Sequence, residues 1–181
     1  THRFHVEAPP VFEDPNSFNS VTSPDIRNPA EIYISLIIPA YNEEHRLPGA
    51  LDEALNYLQQ RAADDKSFTY EVLIVDDGSS DGTKRVAFDY VKRYTVEKVR
   101  VVLLGRNHGK GEAIRKGMLH SRGELLLMLD ADGATKIDDL EKLENQIHVV
   151  SAKKGGGTRI SDVEISVFGS RAHLEEKALA T

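Results

Sequence analysis

LLLMLDADGAT, residues Leu125–Thr135, joins an unbroken apolar run to two carboxylates one residue apart. Such a run is typical of a strand that is buried on both faces, as in a parallel sheet covered by helices. Asp130 and Asp132 follow at the end of the predicted strand, where the apolar surface of the sheet stops. The stretch therefore predicts an α/β fold and negative charge at one edge of its sheet.

The same pattern repeats along the chain from Ile32 onward. Apolar, β-branched segments predict strands, and segments with apolar residues at helical spacing predict the helices between them. The predicted strands are IYISLIIPA, TYEVLIVDDG, KVRVVLLG, GELLLMLDAD and DVEISVFGSR, and the predicted helices are LPGALDEALNYLQQRAA, SDGTKRVAFDYVKRY, KGEAIRKGMLHSR and IDDLEKLENQIHVV. Strands that alternate with helices indicate a parallel sheet with right-handed crossovers.

Each predicted strand ends in a polar cluster. In chain order the clusters are PAYNEE, DDGSSDGT, GRNHGKGEA, DADGAT and GSR. Sheets of this kind bind ligands at the carboxyl ends of their strands, where loops meet the N-termini of helices. We therefore expect the five clusters to lie at one edge of the sheet and to form the functional site.

Composition and charge exclude several classes of function. The chain has 181 residues, a formal net charge of -6 and no cysteine. A nucleic-acid interface is disfavoured because phosphate backbones are bound by clustered Lys and Arg. A thiol nucleophile or a cysteine-based zinc site cannot be built without cysteine, and no apolar stretch approaches the roughly 20 residues that span a bilayer.

The sequence predicts one arm and one domain. Residues 1–31 are rich in proline and lack periodicity, so we expect an extended N-terminal arm. Residues 32–181 are expected to form a single α/β domain. We expect that domain to be incomplete at its C-terminus, because the sequence stops within the helix-forming segment HLEEKALAT.

The motifs resemble, in order and spacing, those of the family-2 glycosyltransferases with a GT-A fold. The resemblance rests on PAYNE, VDDGSSDGT, NHGKGEA, DAD and GSR, and it covers about residues 34–171. Within the family, the DADGAT continuation is most similar to the eukaryotic members that transfer glucose to dolichyl phosphate. The resemblance implies a Rossmann-like, mostly parallel sheet flanked by helices, and it makes residues 32–181 a nucleotide-sugar-binding domain.

The acids Asp130 and Asp132 are the candidate metal ligands. Carboxylate oxygens suit Mg²⁺ or Mn²⁺, and Mg²⁺ often takes one or two carboxylates together with substrate phosphates. Taken alone, two acids at a strand end can equally cap the next helix. The resemblance implies that Asp132 contacts the metal, that Asp130 lies near the nucleotide ribose or the metal's waters, and that both are catalytic.

The acids Asp76 and Asp77 are candidate contacts to the nucleotide base. With Gly78 they also fit a turn that leads into a helix, which we expect to be capped by Ser80 or Asp81. The two interpretations are compatible, because one carboxylate can accept a hydrogen bond from a base N–H while the backbone turns. The resemblance implies uracil recognition by this pair, with Asp77 as the first candidate.

The PAYNE cluster supplies three further candidates for nucleotide binding. Pro39 ends the first predicted strand, Tyr41 can pack against a base, and Glu43 can accept hydrogen bonds from ribose hydroxyls. The alternative is structural, with Tyr41 as a half-buried loop aromatic and Glu43 as an acid favoured by the helix dipole.

Phosphate binding is predicted at two positions. Gly109 allows a close backbone approach in NHGKGEA, and Lys110 offers a positive charge beside a helix N-terminus, although Lys110 is as readily explained by exposure to solvent. Arg171 presents a fork suited to a phosphate, and the resemblance implies a catalytic position for it. The alternative for Arg171 is a surface ion pair with Glu175 or Glu176.

The resemblance implies a complete reaction. Glucose passes from UDP-glucose to dolichyl phosphate with inversion, giving dolichyl β-D-glucosyl phosphate for N-glycan assembly at the cytosolic face of the endoplasmic reticulum membrane. We expect membrane association through segments outside this sequence, and we expect this chain to bind nucleotide while lacking full activity. A mannosyl-transferring or other member of the family and a noncatalytic nucleotide-binding module remain alternatives.

Overall fold

The computed structural model describes residues 11–23, 29–132, 140 and 168–170. In chain order its elements are β1 (Val11–Glu13), β2 (Ser20–Thr22), β3 (Ile32–Ala40), α1 (Leu47–Asp64), β4 (Tyr70–Asp76), α2 (Thr83–Tyr94), β5 (Val99–Leu103), α3 (Lys110–Leu119), β6 (Gly123–Met128) and β7 (Phe168–Ser170). Within these ranges, no helix is both long enough and apolar enough to cross a membrane. The helix predicted for residues 137–150 lies almost wholly outside the described residues.

The central sheet has the strand order β5-β4-β3-β6-β7. Its first four strands are parallel, with β3 paired to both β4 and β6. Leu36, Ile37 and Ile38 are consecutive residues of β3, and each is 0% exposed. Because successive strand residues point to opposite faces, both faces of the sheet are covered. The predicted α/β class, with a mostly parallel sheet flanked by helices, is therefore confirmed.

The last strand runs opposite to the others. β7 pairs antiparallel with β6, so that Phe168 lies opposite Leu127 and Ser170 lies opposite Leu125. Gly169 and Ser170 of the cluster GSR therefore run toward the start of β6, and the expectation that all five clusters share one edge is wrong for these two residues. An apolar strand has the same pattern in either direction, so its sequence did not encode its orientation. Arg171 lies outside the described residues.

Residues 11–23 form an antiparallel hairpin of β1 and β2, whereas the sequence indicated an extended arm. Phe12 is only 1% exposed and joins the main core. The guanidinium carbon of Arg100, a residue of β5, lies 5.0 Å from the centre of the Phe12 ring. Burial of one large aromatic side chain offsets part of the entropy lost when the segment becomes ordered.

A buried ion pair lies where β6 begins, at the edge away from the strands' carboxyl ends. Glu71 is 0% exposed, and its carboxylate accepts hydrogen bonds from the backbone N of Arg122 at 2.8 Å and from Arg122 Nε at 2.7 Å. Ser35 Oγ donates to the same carboxylate at 2.8 Å and accepts from the backbone N of Gly123, also at 2.8 Å. These bonds tie β3, β4 and β6 together.

Candidate nucleotide and metal site

A cavity of about 300 Å³ lies at the carboxyl ends of the parallel strands. Its volume is at the lower end of the range found for small-molecule sites. Its lining residues are Pro39, Ala40, Tyr41, Glu43, Asp77, Asn107, Gly109, Lys110, Ala113, Asp130, Ala131 and Asp132. The ends of β3, β4, β5 and β6 thus contribute to one cavity, as the sequence predicted for these four clusters.

Most of the predicted site residues line this cavity. They are Pro39, Tyr41, Glu43, Asp77, Gly109, Lys110, Asp130 and Asp132. The cavity is also lined by four residues that were not predicted, Ala40, Asn107, Ala113 and Ala131. Asn107 belongs to the NHGKGEA motif, which was a usable signal, whereas the alanines leave room for a ligand and carry no chemical signal of their own.

The two acids at the end of β4 occupy different environments. Asp77 lines the cavity, but Asp76, the last residue of β4, does not. Adjacent residues of a strand point to opposite sides, which separates the two carboxylates. Asp76 is 4% exposed, and its Oδ1 has no hydrogen-bond partner among the described residues. Of the two predicted base contacts, the structure brings Asp77 to the cavity.

The carboxylate of Asp77 holds the loop that precedes α3. It accepts hydrogen bonds from the backbone N of His108 at 2.7 Å and of Gly109 at 3.0 Å. Gly78 allows this approach, because its φ is +76° and a Cβ there would lie 2.6 Å from the backbone N of Asn107. An ionised carboxylate offers about four acceptor sites, so Asp77 can still accept a hydrogen bond from a ligand.

Tyr41 and Glu43 lie on the loop between β3 and α1. Tyr41 is 48% exposed, which leaves its ring accessible from the cavity. The carboxylate of Glu43 accepts two hydrogen bonds from Arg46, at 2.6 Å from Nε and 2.9 Å from Nη2. This pair fixes the direction of the Glu43 carboxylate while leaving acceptor sites for ligand hydroxyls.

The acids after β6 meet a cation from α3. Lys110 Nζ, at the first residue of α3, contacts Asp130 Oδ1. Asp130 and Asp132 both line the cavity, and no group of three His, Cys, Asp or Glu suited to a metal occurs within the described residues. Two carboxylates nevertheless fit Mg²⁺ or Mn²⁺, since such ions commonly complete their shell with phosphate oxygens and water.

Two carboxyl groups, one in the loop after β4 and one in α3, have shifted pKa values. Burial by itself would raise the pKa of Asp81, but hydrogen bonds from Thr83 and Glu44 outweigh burial and lower it. The hydrogen bond from Arg115 lowers the pKa of Glu112 in the first turn of α3. Both groups are therefore ionised at neutral pH. Asp81 accepts the backbone N–H of Thr83 at 3.0 Å, although the residue at the N-cap position of α2 is Gly82.

Residues 35–149 match the model of glycosyl transferase family 2. A dolichyl-phosphate beta-glucosyltransferase of Drosophila melanogaster is 49% identical over 171 residues, which cover 94% of this chain and 50% of that protein. A protein of the same name from Homo sapiens is 48% identical over 159 residues, covering 88% of this chain and 47% of that protein. The chain spans about half the length of these curated relatives.

The fold is similar to that of a solved structure. TarS 1-349 of S. aureus, in complex with UDP-GlcNAc, superposes with a TM-score of 0.56 and 20% identity, covering 81% of this chain and 48% of that chain. At this identity the likeness concerns the fold, and it confirms the predicted GT-A architecture.

Proposed function

The chain belongs to glycosyl transferase family 2, and on that premise we propose that it is an inverting glucosyltransferase acting on UDP-glucose and dolichyl phosphate. The names of the fly and human relatives support this choice of sugar and acceptor. The observation that carries the proposal is the convergence of Asp77, Lys110 and the pair Asp130 and Asp132 on one cavity. That cavity can receive a base, a diphosphate and a cation together.

The loops after β3 and β4 would hold the nucleoside. Asp77 accepts the uracil N–H, because it lines the cavity and its carboxylate is already oriented by two backbone amides. Tyr41 packs against the base with its accessible ring. Glu43 accepts hydrogen bonds from the ribose hydroxyls, and Arg46 keeps its carboxylate in place. This half of the cavity sets the preference for a uridine nucleotide.

The acids after β6 would hold a divalent cation. Asp132 is the proposed direct ligand, and Asp130 lies beside it at the end of a rigid strand. A bound Mg²⁺ or Mn²⁺ would neutralise negative charge that develops on the leaving diphosphate. Lys110 is placed to contact the same phosphates once it leaves Asp130, because its ammonium group can move on a flexible stem.

The proposed reaction is a single displacement. An oxygen of the acceptor phosphate forms a bond to C1 of glucose, the bond from C1 to the β-phosphate oxygen breaks, and UDP leaves with the bonding electrons. A phosphate monoester carries about -1.5 to -2 charge at neutral pH, so its oxygen needs no strong general base. The described residues therefore act by binding and orienting both substrates. Arg171 remains a predicted phosphate contact.

We also propose where the reaction takes place. The acceptor is a polyprenyl lipid phosphate, so the protein must work at a membrane surface. We propose the cytosolic face of the endoplasmic reticulum, where UDP-glucose is the donor. Membrane association would come from segments other than the helices described here, none of which fits a membrane span.

Calorimetric titration tests the donor specificity. We expect UDP-glucose with Mn²⁺ to bind more tightly than UDP-GlcNAc or GDP-mannose, and we expect omission of Mn²⁺ to weaken binding. Asp132→Ala should abolish the effect of Mn²⁺, whereas Asp64→Ala, at the end of α1, should not. The tightest binding by GDP-mannose would instead support a mannosyltransferase. Transfer of glucose to a short-chain polyprenyl phosphate, measured on the same samples, tests the acceptor.

A further inference from the structure

We propose that Asn42 is a positioning residue for the donor pocket, a role that rests on the proposed function. Asn42 lies in the loop after β3, between two residues that line the cavity, Tyr41 and Glu43. The side chain of Asn42 does not line the cavity and is directed at the loop after β4. We infer that it joins the two loops and thereby sets the orientation of its neighbours.

The amide oxygen of Asn42 is a shared acceptor for the second loop. Ser80 donates to Asn42 Oδ1 from its backbone N at 2.8 Å and from its hydroxyl at 3.3 Å. The backbone N of Asp81 approaches the same oxygen at 3.4 Å. In the other direction, the backbone N of Asn42 donates to Ser79 Oγ at 3.0 Å. One residue thus connects to three successive residues of the loop after β4.

The backbone of Asn42 has an uncommon conformation. Its φ is +52°, in the left-handed region that asparagine tolerates better than most residues with a Cβ. This conformation turns the chain sharply at one residue. Tyr41 and Glu43 consequently both border the cavity while the residue between them faces the other loop.

Further hydrogen bonds connect the two loops beyond Asn42. The backbone N of Glu43 donates to Thr83 Oγ1 at 2.8 Å, and the backbone N of Gly82 donates to Glu44 Oε2 at 3.1 Å. Thr83 is 0% exposed and is the first residue of α2, so the loop after β3 is anchored to a packed helix. Among the residues that connect the two loops, Asn42 is the one that lies between Tyr41 and Glu43.

Loss of the hydrogen bonds of Asn42 should weaken ligand binding and hardly change the stability of the fold. Asn42 is exposed and contributes no apolar surface to the core. Tyr41 is 48% exposed, so its ring has limited packing of its own to hold it in one place. A loop that samples several conformations binds its ligand more weakly, because only the competent fraction can bind.

Two substitutions separate the amide oxygen from the backbone conformation. Asn42→Gly removes the acceptor but accepts positive φ without strain. Asn42→Asp keeps an acceptor oxygen and also tolerates the left-handed region. Asn19→Gly, in the N-terminal hairpin, is the control for the same change of side chain away from the cavity. Each variant would be titrated with UDP-glucose and Mn²⁺, assayed for transfer, and unfolded in urea.

We expect Asn42→Gly to weaken UDP-glucose binding by about tenfold, as for the loss of one or two hydrogen bonds, and to raise KM with little change in kcat. Asn42→Asp should stay within about threefold of the unsubstituted protein, and all unfolding midpoints should remain close together. The proposal is overturned if Asn42→Gly binds normally, if Asn42→Asp loses as much, or if the unfolding midpoint falls in step with binding. Failure of the unsubstituted protein to bind UDP-glucose would instead reject the proposed function, and the role of Asn42 with it.

Discussion

A single contact, between Lys110 Nζ and Asp130 Oδ1, places a positive charge where we propose that a metal binds. The ammonium group of Lys110 and the metal then compete for the negative charge of Asp130, which lies beside the proposed direct ligand Asp132. Lys110→Gln should therefore tighten Mn²⁺ binding to the nucleotide-free protein by up to about fivefold, since exposed ion pairs contribute about 0.2–1 kcal/mol. Electron paramagnetic resonance of free Mn²⁺ measures this affinity. Lys116→Gln, on the same helix but not lining the cavity, is the control, and equal affinities for all three proteins would contradict the competition.

Asp77 makes a second prediction possible, because one carboxylate both orients a loop and faces the cavity. Asp77→Asn should weaken UDP binding at least tenfold and lower the free energy of unfolding by about 1–2 kcal/mol. An asparagine has one acceptor oxygen for the two backbone N–H groups of His108 and Gly109, so one donor loses its partner. Calorimetry and urea unfolding measure the two effects. Weaker binding at unchanged stability would show that the loop bonds matter less than the contact with the base.

Among the elements, α3 begins with Lys110 of the cavity, directly after Gly109, and its packing on the sheet depends on Gly117. A Cβ at Gly117 would lie 2.6 Å from Ile37 Cγ2 and 2.9 Å from Val75 Cγ2. Gly117→Ala should therefore push α3 away from the sheet and cost about 1–3 kcal/mol of folding free energy.

Gly111 provides the matched control on the same helix, because a Cβ there would meet no atom within 4 Å. Gly111→Ala should be neutral or stabilise by about 0.5–1 kcal/mol, since alanine favours the helix over glycine. Thermal unfolding of both variants tests the pair. Equal effects of the two substitutions would mean that helix propensity, and not contact with the sheet, determines how α3 contributes to stability.

The contact between α1 and α2 predicts a loss of stability at high pH. Tyr90 OH donates to Asp52 Oδ1 at 2.6 Å and to the Pro48 carbonyl at 3.1 Å. Burial, reinforced by the hydrogen bond to Asp52, raises the pKa of Tyr90 from 10.0 to about 12. The neutral phenol is therefore favoured by the fold, so its stabilisation is complete below pH 10 and is lost as the pH rises to about 12.

Urea unfolding between those two pH values tests this prediction. Tyr90→Phe has no ionisable group at this position and should lose less stability over the interval. Burial also raises the pKa of Tyr70, so a residual loss is expected in that variant. Tyr41→Phe, at an exposed position, should behave like the unsubstituted protein. If the stability of Tyr90→Phe depended on pH as strongly as that of the unsubstituted protein, ionisation of Tyr90 would not be the cause of the loss.

Across the whole molecule, local sequence patterns predicted the positions of the main strands and helices well, but they predicted strand orientation poorly. The segment IYISLIIPA coincides with β3, Ile32–Ala40, because its β-branched run favours a strand over a helix. Periodicity is silent on strand orientation, so the antiparallel pairing of β7 was missed. The docking of Phe12 was missed as well, since one aromatic residue in a proline-rich segment gives no periodic signal.

The candidate site divides in a similar way. Motif positions after parallel strands predicted the shared cavity, because the carboxyl ends of such strands meet at one edge. The hydrogen bonds of Asp77 to the loop before α3 and of Asn42 to the loop after β4 join residues more than thirty positions apart. Contacts of that separation depend on where the sheet brings the loops, and no local sequence pattern encodes them.

The two edges of the sheet should respond differently to substitution. Glu71 and Arg122 form their buried pair at the edge away from the cavity, and Arg122 is 7% exposed. Arg122→Met leaves the Glu71 carboxylate buried without its cation, which should cost about 3–5 kcal/mol of unfolding free energy. The double variant Glu71→Gln with Arg122→Met should recover most of that loss, because the amide oxygen still accepts from Ser35 Oγ and no carboxylate is left buried without its partner. Affinity for UDP-glucose should be measured without urea, at a temperature where each variant is folded. It should stay unchanged, since neither residue of the pair lines the cavity. A weaker affinity in the folded double variant would mean that this edge helps to set the position of Asp130 through β6, and the separation of stability from binding would be wrong.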